Sequence, residues 1–96
     1  MTCRIDRLVP EDGLTVLRVI GRIAGEDVAT LRSSVEQENN KVVLDLGYVF
    51  LINREAISLL VSYELNGTEL RNCPAYIREW ITQEATFNEE RQTYED

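Results

Sequence analysis

The sequence contains no histidine, two cysteines (Cys3 and Cys73), two prolines and one tryptophan. Without histidine, the imidazole base that usually activates a serine or cysteine nucleophile is missing. Two widely separated cysteines do not make a zinc site. Basic residues are also scarce: 10 Lys and Arg stand against 17 Asp and Glu, a formal charge of −7. Phosphate backbones and anionic bilayers are bound by concentrated basic faces, so neither nucleic acid nor a membrane surface is an expected partner. No apolar run approaches the ~18 residues of a membrane-spanning helix. The opening "MTCRIDRLVP" has no apolar core of signal-peptide kind. Gly21 and Gly25 lack the following Lys-Ser/Thr of a phosphate loop. These absences predict a cytoplasmic, non-enzymatic protein with reduced thiols, no metal and no cofactor.

What is present is ordinary for a globular chain: 96 residues, 44% of them apolar and 28% charged, enough for one domain with a modest core. "CRIDRL" alternates weakly and predicts an edge strand. "PEDG", ending at Gly13, is a turn signal, and the β-branched "LTVLRVIGRI" follows, so a hairpin is expected, with Leu14, Val16 and Ile20 on one face. After Gly25, the acidic pair Glu26 and Asp27 suits a helix start, and Val28, Leu31 and Val35 keep helical spacing. "KVVLDL" (41–46) is continuously apolar apart from Asp45, the pattern of a strand buried on both faces. "GYVFLI" is taken as a linker. A second helix then buries Ala56, Ile57, Leu60 and Val61. Asn66-Gly67 marks a turn into a short strand, and Pro74 opens a third helix carrying Ile77, Trp80 and Ile81 on one face. The expected fold class is therefore α/β: a mixed sheet of about four strands with helices packed on it, in the order β-β-α-β-α-β-α. Residues 1–84 are assigned to this domain, and 85–96 to an acidic, frayed tail.

The run from "LTVLRVIGRIAGEDVATLR" through "VVLDLGYVFLINREAISLL" to "GTELRNCP" resembles the STAS domain, the module of sulfate transporters and bacterial anti-sigma factor antagonists. The resemblance covers roughly residues 14–81 and rests on "GRI", the buried "VVLDL" and the apolar turn into the second helix. "NREA" with "ELRNCPAYIREWI" looks closest to small bacterial STAS-like proteins. It implies a protein-interaction module whose partner is an anti-sigma factor or kinase-like regulator. In the antagonists a serine opening the second helix is phosphorylated, within the motif Asp-Ser-x-Gly. Here Asn53 takes the aspartate position, Arg54 the serine position and Ala56 the glycine position, so the acceptor hydroxyl is absent. Family members continue with a further strand and helix, whereas only a short polar stretch follows Trp80. A sheet one strand short has an edge open to weak homodimerisation.

The candidate partner-binding residues are Tyr48, Phe50, Asn53, Arg54 and Glu55. Asn53 suits a helix N-cap, worth ~1 kcal/mol, and Glu55 suits the first turn. Arg54 opposes the helix dipole there, so it either reaches a carboxylate such as Glu55 or meets a partner. An alternative is a small-ligand or anion sensor at the same helix start. Phe50 is expected in the core and Tyr48 at the surface, or the two form an apolar rim beside Arg54. Asp45 needs hydrogen bonds from the following loop. Tyr63 and Tyr76 are expected half-buried with wet hydroxyls. Cys73, at a helix start, is either a reactive thiol or a buried capping residue.

Overall fold

The computed structural model describes the backbone of residues 3–11 and 13–94, and the side chains of residues 3–11 and 13–86. Four strands and three helices follow one another as β1 (Arg4–Glu11), β2 (Leu14–Ile23), α1 (Glu26–Glu36), β3 (Lys41–Ile52), α2 (Arg54–Leu65), β4 (Glu69–Arg71) and α3 (Ala75–Tyr94). The strands lie in the order β1-β2-β3-β4. β1 pairs antiparallel with β2, while β2–β3 and β3–β4 are parallel. The α/β class, the mixed four-stranded sheet and the element order agree with the sequence pattern. Asp12, within the expected hairpin turn, lies outside the described residues; Gly13 beside it takes φ 81°. No helix among the described residues is long and apolar enough to cross a membrane.

Both β-α-β crossovers step the same way along the sheet, so the right-handed rule puts α1 and α2 on the same face. A single core confirms this. Leu17, Val19 and Ile23 of β2 and Val42, Leu44 and Leu46 of β3 meet Val28 and Leu31 of α1, Ala56, Ile57, Leu60 and Val61 of α2, and Ile77 and Ile81 of α3. Side chains alternate across a strand, so the remaining positions line a helix-free face. Leu14, Val16 and Ile20 do share a face, and it is this helix-free one. There Leu8, Val16 and Val43 stand in one register row, and Asp6, Arg18, Asp45 and Arg71 in the next, with alternating charge across all four strands.

The helices α2 and α3 run antiparallel and are clasped at two points. Glu64 takes a bidentate pair from Arg78, at 2.6 and 2.8 Å, near the end of α2. Arg54 Nε donates to Glu84 Oε1 at 2.9 Å at its start. Asp27 ties the start of β1 to the end of β2, accepting the backbone N–H of Cys3 and of Ala24 at 3.2 Å each.

Three expectations are corrected. The stretch read as the linker "GYVFLI" is the second half of β3, paired with β2 as far as Ile52. The polar stretch read as a frayed tail is helical through Tyr94. Its Glu, Gln and Arg residues are good helix formers even without an apolar stripe; Glu95 and Asp96 lie outside the described residues. Trp80 is half-buried at the edge of the core, whereas Ile77 and Ile81 are fully enclosed.

Ile77→Ala is therefore expected to cost about 2–5 kcal/mol, within the range for buried aliphatic truncations, and Trp80→Ala less. Urea unfolding of both variants checks the order; a larger loss for Trp80→Ala would place the indole deeper than it is found here.

Candidate functional site

Asp45 organises the middle of β3. Its Oδ1 accepts the backbone N–H of Gly47 at 3.0 Å and the side-chain amide of Asn72 at 3.2 Å. Its Oδ2 lies 3.5 Å from Arg18 Nε, an ion contact too long for a good hydrogen bond. Desolvation pushes the carboxyl upward, but Gly47, Asn72 and Arg18 together hold it below its ordinary value. The forward bond expected for Asp45 is present, but its donor, Gly47, belongs to β3 itself and not to a following loop. Asn72 sits at φ 57°, a left-handed conformation that asparagine tolerates better than most residues. A Cβ on Gly47 would stand 3.2 Å from Asn72 Cβ and 3.3 Å from Asp45 Oδ1, so any side chain here would have to push these neighbours back by a few tenths of an ångström.

At this point the β2–β3 register breaks. Arg18 faces Asp45, but Ile20 faces Tyr48; β2 advances by two residues and β3 by three. A second break follows, with Gly21 facing Val49 and Arg22 facing Leu51. Each break leaves one extra residue in β3 and re-aims the side chains beyond it. The burial sequence shows the result: Val42–Leu46 are all buried, then only Val49 and Ile52. Tyr48, Phe50 and Leu51 point outward, 58%, 73% and 49% exposed. Phe50 is therefore not a core residue as its hydrophobicity suggested. Tyr48 is at the surface as expected, its ring 5.4 Å beneath the Arg18 guanidinium.

The strand ends directly in the start of α2. Asn53 is the N-cap, its side-chain oxygen accepting the Ala56 N–H at 2.9 Å, and its own N–H donates to Ile23 O. Arg54 and Glu55 are both exposed. The carboxylate that answers Arg54 is Glu84, thirty residues away, and not Glu55. The five sequence-predicted residues fall on consecutive elements: Tyr48 and Phe50 are exposed on the second half of β3, and Asn53, Arg54 and Glu55 form the start of α2. Sequence reasoning missed Leu51 and Glu84. The adjacent apolar pair "FL" was the available signal for Leu51; nothing local announced Glu84.

The other candidates are structural. Cys73 is half-buried, and burial pushes its thiol up despite the pull of Arg78, so the expected lowering at a helix start does not occur. Tyr63 is half-buried, but its hydroxyl is enclosed and has no partner among the described residues, whereas Tyr76 is exposed. No protein-family model matches the chain, and no curated protein matches it.

Asp45→Asn is expected to lower stability by about 1–3 kcal/mol at neutral pH, through loss of charge-assisted bonds. Because the folded-state pKa lies below the unfolded one, this contribution is complete above about pH 4 and fades as pH falls through the folded value. Unfolding curves of wild type and variant should converge toward acid pH; a constant gap would mean that the ionised form is not what the site stabilises.

Proposed function

We propose that this chain is a non-enzymatic STAS-like protein-interaction module, regulatory in the manner of the anti-sigma factor antagonists, and not switched by serine phosphorylation at the usual site. The observation that carries the proposal is the outward turn of β3. Tyr48, Phe50 and Leu51 stand exposed within four residues, immediately before the exposed Arg54 and Glu55. Large apolar side chains grouped on a surface and rimmed by charge are the usual anatomy of a docking site. The partner is a protein, with an anti-sigma factor or kinase-like regulator as the class implied by the resemblance. A cytoplasmic setting fits two unpaired thiols.

The position of Arg54 supports the absence of a phosphoryl switch, since it offers no hydroxyl. Ser58 is exposed, but it lies in the middle of α2, away from the helix start. The anion-sensor alternative is weaker. The start of α2 is already capped by Asn53, and Arg54 is engaged by Glu84.

The role of Arg54 is separable from its ion pair. The pair is a surface contact, with Arg54 72% exposed, and such pairs contribute about 0–1 kcal/mol. Arg54→Gln and Glu84→Gln both break it; because the Glu84 side chain is only 12% exposed, Arg54→Gln, which leaves that carboxylate unpaired, should lower stability somewhat more, with both shifts small. Only Arg54→Gln should weaken partner capture, by more than tenfold, because a charge-assisted interfacial bond is worth about 1.5–3 kcal/mol. Quantitative affinity capture with both variants decides the matter. Equal capture by Arg54→Gln and wild type would show that the arginine serves the fold alone.

A further inference from the structure

The turn that joins α2 to β4 reads Asn66-Gly67-Thr68, and no other asparagine in the chain is followed by glycine. In an asparagine–glycine pair the main-chain nitrogen attacks the preceding side-chain amide most readily, because glycine has no side chain to hinder it. Asn66 and Gly67 are both exposed. Gly67 takes φ 96°, with open space where a Cβ would stand, so no neighbour crowds its α-carbon.

The turn as folded is closed to this reaction. Gly67 N–H donates to Glu64 O at 3.0 Å, Asn66 N–H to Ser62 O and Tyr63 O, and Thr68 N–H to Tyr63 O at 3.0 Å. These bonds satisfy the last carbonyls of α2. Asn66 has ψ 8°, which nearly eclipses the Gly67 nitrogen with Asn66's own nitrogen and turns it away from the side chain. Bringing that nitrogen onto the side-chain carbonyl carbon needs a large rotation about ψ. The rotation breaks the bond to Glu64.

We infer that Asn66 is a deamidation site controlled by the opening of the last turn of α2. In the opened turn the Gly67 nitrogen gives its proton to water or hydroxide and attacks Asn66 Cγ. A new C–N bond forms, the Cγ–Nδ2 bond breaks, and the departing amide takes a proton from water and leaves as ammonia. The five-membered succinimide then takes up water at either carbonyl, giving aspartate or isoaspartate at position 66. Water is the only co-reactant. Neither product restores the turn. Isoaspartate lengthens the main chain by a methylene, and both products place a negative charge at the C-terminal end of a helix, against its dipole. The step therefore runs one way and loosens the junction of α2 with β4.

The opening is restrained by the clasp between α2 and α3. Arg78 holds the Glu64 carboxylate through two bonds, at 2.6 and 2.8 Å, and the Glu64 carbonyl is the group that holds Gly67. The pair is exposed on both sides, 41% and 39%, so its restraint is modest.

Incubation at mildly alkaline pH, followed by proteolysis and mass spectrometry, measures conversion at each asparagine. Position 66 should react fastest in the urea-unfolded chain and more slowly in folded wild type, yet ahead of every other asparagine there. Folded Arg78→Gln, checked by circular dichroism, should convert about two- to fivefold faster than wild type, the range a surface ion pair allows. Arg4→Gln, which breaks the distant Arg4–Asp6 pair, should match wild type. Wild type reacting as fast as the unfolded chain, or Arg78→Gln no faster than wild type, overturns the inference. So does another asparagine leading in the folded protein, or an Arg78→Gln variant in which all asparagines accelerate alike, since the opening would then be global.

Discussion

Asp45 is a carboxylate in an otherwise apolar strand, and the surface that follows depends on how it is satisfied. Within two residues of chain it accepts the N–H of Gly47, and from across the sheet it accepts the amide of Asn72. The first bond holds an extra residue in β3, because a carboxylate reaching forward to an amide two residues on curls the backbone between them. The second stops β4, because Asn72 must leave the sheet line to present its side chain there. One buried acid thus sets two features together: the register break in β3 and the early end of its neighbour. Arg18, 3.5 Å away, balances the charge.

Everything beyond Gly47 follows from that break. Had the alternation of Val42, Leu44 and Leu46 continued, Tyr48, Phe50 and Ile52 would have faced the helices. With the extra residue, Val49 takes the inward place, and a second break brings Ile52 inward just before the chain turns into α2. The core loses nothing, since a β-branched residue fills each inward position. What changes is the outside, which presents Tyr48, Phe50 and Leu51 where unbroken alternation would have presented Gly47, Val49 and Leu51. The helix start that follows is rigid: Asn53 caps it, its N–H is bound to Ile23, and Arg54 is anchored to α3 through Glu84. A surface built from a hydrogen-bonded strand and a capped helix holds its shape before any partner arrives.

The parts of this arrangement legible in the sequence are those governed by near neighbours. The Asn53 cap was legible because capping is a local competition for an orphan N–H. The Val42–Leu46 strand was legible from its uninterrupted apolar run, and the α2 stripe from its 3.6-residue spacing. The second half of β3 was not, because two inserted residues destroy the period of two on which strand recognition depends. Phe50 was misplaced for a different reason: large apolar residues are enriched inside, but their hydrophobicity does not place each one there. Glu84 could not be paired with Arg54 beforehand, since the contact exists only once α3 folds back along α2. The helical continuation of α3 was hidden because propensity without an apolar face carries no periodic signal.

The outward turn of β3 is the claim on which the functional proposal rests, and solvent accessibility of individual side chains measures it. Paramagnetic relaxation by a soluble gadolinium chelate, read in NMR spectra of dilute protein, should broaden the ring protons of Tyr48 and Phe50 strongly. It should leave the methyls of Val49 and Ile52 nearly untouched. Protected Phe50 protons beside strongly relaxed Val49 methyls would mean that the strand keeps its alternation past Gly47, and would contradict the account.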